Sequence, residues 1–368
     1  MLAFELGETG WKLGFTSGFG HEVLERNIAS RDTKALLKQI AWVKRRLGLP
    51  QDAPVRSLYE AGRDGFWLHR FLEAHGVENL VVDSASIEVN RKRRRAKSDR
   101  LDVVGLLDLL IRHWAGSPKP VLRPVRVPSV DDEDARHLHR ELGLLKKDRT
   151  RVSNRIHGLL ANVGLKLSLA RLGSRLETLR FWDGSPLGPG LRGRLDRYLA
   201  DRAGLDARIQ ELEGMRRTRL REDDSSPALE KVRQLDTLRG IGTSSAWLLV
   251  MEFFVWRDFQ NRREVGSAAG LTPTPFDSGK REREQGIGKD GNHWVRGRMV
   301  ELAWAWLRHQ PKSELTLWYQ RRFAGSGKRG RKIGIVALAR KLLIELWRFL
   351  ETGEVPAGAE LKPAVRTR

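Results

Sequence analysis

Residues 2–15 read Leu2-Ala3-Phe4-Glu5-Leu6-Gly7-Glu8-Thr9-Gly10-Trp11-Lys12-Leu13-Gly14-Phe15. Two short apolar runs, Leu2 to Leu6 and Trp11 to Phe15, flank a turn bounded by Gly7 and Gly10, a pattern that predicts a β-hairpin. Further on, Ser30 to Leu47 carries a helical pattern, Val55 to Tyr59 is strand-like, and a helix is expected from about Asp64 to His75. Asn79 to Asp83 follows as a short buried strand, then a Leu-rich helix from about Ser98 to Arg112. Strands that come first as a hairpin and then alternate with helices predict a mixed α/β sheet covered by helices. Ser117 to Pro128, proline-rich and without an acidic residue, is expected to be a linker.

From Asp131 the period changes. Leu138, Leu142, Leu145, Val152, Ile156, Leu159 and Val163 step by 4, 3, 7, 4, 3 and 4, a heptad seam with Arg149 in the skipped slot. Leu191, Leu195, Tyr198, Leu205, Ile209 and Leu212 repeat the pattern with Arg202 in the gap. The Gly/Pro-rich stretch Asp183 to Gly190 separates them, so an antiparallel helical hairpin is expected, and paired seams of this kind favour oligomerisation. From about Leu235 the chain is helical with turn signals; Gly240-Ile241-Gly242 before Thr243 is a weak phosphate-binding signal, and Ile333 to Leu350 is apolar on most sides, hence core.

The 368 residues hold 68 Lys plus Arg against 46 Asp plus Glu, a net charge of +22, and no Cys. Without thiols, disulfides, Cys-ligated zinc, iron–sulfur clusters and a Cys nucleophile are excluded. No apolar run approaches the roughly 18 residues of a membrane span, and Met1 to Gly20 lacks a basic start before an apolar core. No membrane partner is therefore expected, and the location is expected to be cytoplasmic. The charge is uneven: net +7 over residues 1–130, +3 over 131–230 and +12 over 231–368. Arg supplies 50 of the 68 cations, and its planar fork suits phosphate. Arg91, Lys92, Arg93, Arg94, Arg95 and Lys97 form one cluster; Arg321, Arg322, Lys328, Arg329, Arg331 and Lys332, read as a Gly-rich loop, form another. Together they point to a polyanionic partner.

Two constellations carry chemistry. Glu5 lies in the first strand, Glu60 at the end of the next strand run, and Asp99 and Asp102 share one face at the start of the Leu-rich helix. Carboxylates from two strand ends and a helix suit Mg²⁺, although helix capping and pairing with the neighbouring arginines explains Asp99 and Asp102 as well. The second constellation is Gly270-Leu271-Thr272-Pro273, Ser278-Gly279, Gly291-Asn292 and Arg296. Ser278 is either a turn residue or a nucleophile served by Lys280, Lys289 and Arg296, with His293 a proton acceptor by proximity alone. His137, His139 and His157 are expected at the surface or beside the helical seam.

The stretch Tyr59-Glu60-Ala61-Gly62-Arg63-Asp64-Gly65-Phe66-Trp67, the stretch Ala96-Lys97-Ser98-Asp99-Arg100-Leu101-Asp102 and the block Gly270 to Arg296 resemble the insertion-sequence one-ten transposase family, also called DEDD transposases. The resemblance runs through nearly the whole chain, to the final Ala339-Arg340-Lys341 helix. It implies an RNase H-like (RuvC-like) α/β domain over residues 1–128, a coiled-coil helical arm over 129–225, and a mostly α-helical transposase domain over 226–368. It also implies Mg²⁺ held by Glu5, Glu60, Asp99 and Asp102, with Ser278 as the nucleophile of a serine recombinase. The implied partners are donor and target DNA and a structured noncoding guide RNA. The implied assembly is a homo-oligomer, dimer to tetramer, in which one subunit gives the acids and another the serine. One residue departs from the family pattern, whose first acid is Asp: Glu5 reaches the metal with an extra methylene. The rival readings are a metal-only RuvC-like structure-selective nuclease and a non-enzymatic architectural nucleic-acid-binding protein.

Overall fold

The computed structural model describes residues 1–62, 64–83, 99–117, 121–278, 281–288 and 291–363, without the side chains of 99–102, 274–278 and 281–285. The chain divides into two units, Met1–Ser129 and Val130–Arg368.

The first unit is built on five strands, β1 (Leu2–Leu6), β2 (Gly10–Phe15), β3 (Leu24–Ala29), β4 (Val55–Glu60) and β5 (Val77–Val82), in the order β3-β2-β1-β4-β5. β1 pairs antiparallel with β2 and parallel with β4, so the sheet is mixed. Alternation along β1 sends Phe4 to one face, with Trp11, Leu13 and Tyr59, and Ala3 to the other. Helices α1 (Thr33–Arg46) and α2 (Trp67–Ala74) cover the first face through Leu36, Ile40, Leu68 and Leu72. Helix α3 (Asp99–Trp114) covers the second through Leu106, Leu107 and Leu110.

Two expectations are corrected here. Leu24–Ala29 is a strand that the residue pattern does not announce: it is an edge strand in which Ile28 and Ala29 follow four polar or half-buried positions, and α1 starts only at Thr33, capped by Asp32. The stretch read as a linker is not one over residues 121–125: Val121 and Leu122 are buried, the Val125 N–H donates to the Val81 carbonyl at 2.7 Å, and the Asp83 N–H donates to that of Arg123 at 3.1 Å. Proline tolerates this edge position because no further strand needs its missing N–H.

Gly14 lets α3 approach the sheet. A Cβ there would lie 2.2 Å from Val103 Cγ1 and 3.0 Å from Leu107 Cδ1. Gly14→Ala is therefore expected to destabilise the protein by about 1–3 kcal/mol, read by thermal denaturation, and Val103→Ala in the same chain to recover part of the loss.

The second unit begins with the short helix α4 (Val130–Asp134), followed by α5 (His137–Asn162), α6 (Leu169–Arg175) and α7 (Pro189–Glu222). α5 and α7 form an antiparallel pair: Leu142 and Leu145 pack with Ile209, and Val152 and Ile156 with Leu195. The skipped slots hold a charge layer, Arg149 and Arg202 both meeting Asp206 at 3.3 and 3.4 Å. Beyond it the buried line runs Val152, Ile156, Leu160 rather than through Leu159, because steps of four turn that face toward Leu172 of α6. The seam is thus closed within one chain.

Helices α8 (Pro227–Asp236), α9 (Thr243–Leu249), α10 (Arg262–Ala268), α11 (His293–His309), α12 (Glu314–Phe323) and α13 (Lys328–Thr352) share one core. α13 lies at its centre, burying Ile335, Leu338, Leu342, Leu343 and Leu346. A π-helical turn, Val250–Phe254, follows α9, and a two-stranded ribbon, β6 (Pro273–Ser278) with β7 (Arg281–Ile287), separates α10 from α11. Among the described residues no helix is long and apolar enough to cross a membrane.

Candidate active site

Glu5 and Glu60 stand at the ends of adjacent parallel strands. The register pairs Ala3 with Leu58 and Phe4 with Tyr59, so the next step sets Glu5 beside Glu60, both on the face that α3 covers. The direction of α3 follows from its two ends. At its C-terminus Trp114 lies under the Arg56 guanidinium, 4.0 Å away, near the start of β4; Val103 sits over Gly14, opposite Ala3. α3 therefore runs antiparallel to β1 and β4. Its first turn, Asp99 to Asp102, begins about 6 Å before Val103, and Glu5 lies about 6–7 Å beyond Ala3 in the same direction. The backbone thus brings all four acidic positions to one end of the sheet.

The strand ends open into a cleft of about 460 Å³, lined by Phe4, Glu5, Glu8, Tyr59, Glu60 and Asp64 among others. Asp64 is nearly buried and committed to Arg31 at 3.0 Å. The loop over the cleft is held by the Tyr59 hydroxyl, which donates to the Gly65 carbonyl at 3.0 Å, and by the Ala61 N–H, which donates to Val82. Carboxylate oxygens on an open, polar-walled cleft suit a hard, partly hydrated cation such as Mg²⁺. Among the described side chains no three acids or histidines close to a metal-binding group; those of Asp99 and Asp102 lie outside the description.

Ser278 is the last residue of β6, paired with Arg281 at the closed end of the ribbon. Pro273, its first residue, pairs with Ile287, and five residues of strand put Ser278 about 17 Å from that root. Strands were not expected here: two prolines and the charged run Arg281 to Glu284 offer no apolar alternation. His293 is exposed at the start of α11, its ring against Trp294.

Among the expected nucleic-acid contacts, Arg91 to Arg95, Lys97, Lys280 and Lys289 lie outside the described residues. Arg296 is half-buried in the first turn of α11. The C-terminal cluster is helical rather than a loop: Arg321 and Arg322 end α12, and Lys328, Arg329, Arg331 and Lys332 begin α13. All four of the latter are exposed, and among the described residues none is in an ion pair. Cations at a helix N-terminus oppose its dipole, at about 0.3–1 kcal/mol each when exposed, a cost that a bound polyanion relieves. The Gly240–Gly242 turn is packed instead against the chain's own tail: the Arg239 N–H donates to Glu360, the Lys362 N–H to Thr237, and a Cβ on Gly240 would lie 3.0 Å from His309.

A buried charge centre is absent from the sequence reading. Glu252, fully buried in the π-helical turn, accepts from His139 at 2.8 Å, bidentately from Arg140 at 2.6 and 3.0 Å, and from Asn292 Nδ2 at 3.1 Å. Burial alone would push its pKa up; the hydrogen bonds from His139 and Arg140, with their charges, outweigh this and hold it well below the usual carboxylate range. His139 is thus core, not surface. The stabilisation contributed by the Glu252 carboxylate is fully present above the ordinary glutamate value of 4.5 and is lost as pH falls below that value toward the depressed one.

A profile of the transposase IS116/IS110/IS902 family matches residues 232–317. The chain is 38% identical to "Putative transposase y4rJ" of Sinorhizobium fredii, over 98% of this chain and 94% of that protein. It is 26% identical to the transposase for insertion sequence element IS1111A of Coxiella burnetii, over 80% of this chain and 76% of that one. It is 27% identical to the transposase for insertion sequence element IS1328 of Yersinia enterocolitica, over 49% and 52%. With identity at this level sustained from end to end of one relative, and the profile matching the helices around the serine ribbon, the chain belongs to the IS116/IS110/IS902 family of transposases.

Proposed function

We propose that this transposase recombines DNA through a serine nucleophile and a carboxylate-held Mg²⁺, under guidance of a structured noncoding RNA. The observation that carries the proposal is the convergence of Glu5, Glu60 and the first turn of α3 at one end of the sheet. Glu5, Glu60, Asp99 and Asp102 would hold the metal, in a domain of the RuvC-like class. The ion, when bound, neutralises charge on a reacting phosphate. Ser278 Oγ attacks a DNA phosphorus; an Oγ–P bond forms, a P–O bond to deoxyribose breaks, and the departing sugar oxygen takes a proton. A hydroxyl of the second strand then attacks the phosphoserine, regenerating Ser278 and rejoining the backbone. Each step exchanges one phosphodiester for another, so no energy source is needed.

The ribbon supports this use of Ser278, since a serine about 17 Å from its root suits delivery to a DNA phosphate away from its own fold. With the seam of the arm closed inside one chain, a dimer to tetramer would form through other surfaces of α5 and α7. Base pairing by the RNA would select sequence while the protein contacts backbone, in keeping with net +12 over residues 231–368.

Binding to DNA or RNA is expected to weaken linearly in log–log form with added salt. Replacing Lys328, Arg329, Arg331 and Lys332 together by Ala is expected to reduce that slope by about 3–4, measured by fluorescence anisotropy at several salt concentrations. An unchanged slope would remove this cluster from the interface.

A further inference from the structure

Glu252 ties together three parts of the second unit that are far apart in sequence. Its carboxylate accepts from His139 and Arg140 of α5 and from Asn292 Nδ2, which shares Oε2 with Arg140. Its backbone carbonyl, in the π-helical turn, accepts from Trp256 Nε1 at 3.2 Å and from Arg257 at 2.9 Å. A π-turn in a helix leaves such groups outside the regular ladder and is commonly kept for use.

Asn292 is the link to the ribbon. Its Oδ1 caps α11 by accepting from the Trp294 and Val295 N–H groups at 3.0 and 3.1 Å, so its Nδ2 must face Glu252. Its own N–H donates to the Ala268 carbonyl at 2.9 Å. Gly291, at φ +84°, fits so closely beneath this loop that a Cβ would lie 2.6 Å from the Ala268 oxygen and 2.7 Å from the Gly270 nitrogen. Residues 268–272 are the chain that enters β6, and the Gly288 N–H, leaving β7, donates to the Thr272 carbonyl. Glu252, Asn292 and the 268–272 loop therefore form one hydrogen-bonded path from the helical arm to the root of the ribbon that ends in Ser278.

We infer that Glu252 is a positioning residue for the recombination reaction: through Asn292 it sets the direction in which the β6–β7 ribbon presents Ser278, and through His139 and Arg140 it makes that direction depend on the docking of α5. The inference rests on Ser278 being the nucleophile. It needs no contact between Glu252 and DNA, since the carboxylate is fully buried. A tilt at the root of a long lever is magnified at its tip, and an ångström-scale misplacement of a reacting atom costs on the order of 100-fold in rate.

The test compares full-length Glu252→Gln, Asn292→Ser and Ser278→Ala on labelled donor DNA with the guide RNA present, reading covalent protein–DNA adduct, strand-exchange product, nucleic-acid affinity and melting temperature. Asn292→Ser keeps an N-cap acceptor for α11 but is too short to reach Glu252. It is the variant that separates positioning from folding. Adduct formation is expected to fall on the order of 10–100-fold in both Glu252→Gln and Asn292→Ser, with nucleic-acid affinity unchanged. Pairing Glu252→Gln with Asn292→Asp, which exchanges carboxylate and amide, is expected to recover part of the loss. Parental adduct rates in Asn292→Ser, or a loss of adduct matched by an equal loss of affinity and melting temperature, would overturn the inference. If Ser278→Ala still exchanges strands, the serine reading itself has failed.

Discussion

Ser278→Ala is expected to abolish the covalent protein–DNA adduct and all strand exchange, a loss at least on the order of 10⁴-fold, the scale seen when a nucleophile is removed from an enzyme that depends on one. RNA affinity is expected to stay at the parental level, because Ser278 ends a two-stranded ribbon and lies outside the shared core of α8 to α13. The same reasoning predicts an unchanged melting temperature. A metal-only nuclease predicts the opposite: its cleavage would survive Ser278→Ala, since the serine would then be a turn residue. The measurement is a denaturing gel of end-labelled DNA, in which adduct and cleaved strand are read from one lane.

The second large effect concerns the acids. Glu60→Gln preserves shape and hydrogen bonding but removes an anionic oxygen beside Glu5. Loss of several kcal/mol of charge stabilisation corresponds to about 10²–10³-fold in cleavage, and Mg²⁺ affinity measured by calorimetry is expected to fall with it. Glu5 offers a finer test. Glu5→Gln should match Glu60→Gln, whereas Glu5→Asp, one methylene shorter, should keep cleavage and move the Mg²⁺ concentration needed for half activity. If Glu5→Gln cleaves at the parental rate, this strand end does not hold the metal and Glu8, which lines the same cleft, becomes the residue to replace. An architectural protein would tolerate the loss of every one of these acids.

Much of this arrangement was legible in the residues. The hairpin of β1 and β2 announces itself because apolar runs flank glycines, and the parity that puts Glu5 on the α3 face follows from Phe4 and Ala3 facing opposite sides. The heptad steps predicted the α5–α7 pair, and the skipped slots proved to be a shared ion layer around Asp206. What stayed hidden lacks apolar periodicity. β3 buries too few residues to alternate, and the β6–β7 ribbon is proline-bearing and charged. The segment over Val121–Val125 reads as a linker because proline usually marks one, yet it lines the edge of β5. Glu252 was invisible for a different reason: its partners His139, Arg140 and Asn292 lie 113, 112 and 40 residues away, and only folding joins them.

Functional legibility divided in the same way. The residues alone left Asp99 and Asp102 open between a metal site and helix capping, and the family resemblance singled out the four acids; what the fold adds is that the direction of α3 sets their backbone positions at one end of the sheet. The basic cluster was recognised by composition, but its placement on the first turns of α13, against the helix dipole, came only with the fold.

The central claim is that a DNA strand becomes bonded to Ser278 during recombination. The most direct measurement is to denature the reaction with donor DNA, guide RNA and Mg²⁺, digest protein and DNA, and sequence by mass spectrometry the peptide that carries the residual nucleotide. The account predicts a nucleotide phosphate on Ser278, in a peptide from the closed end of the β6–β7 ribbon, and none in the Ser278→Ala protein. A nucleotide on any other residue, or complete strand exchange with no nucleotide-bearing peptide, would contradict it.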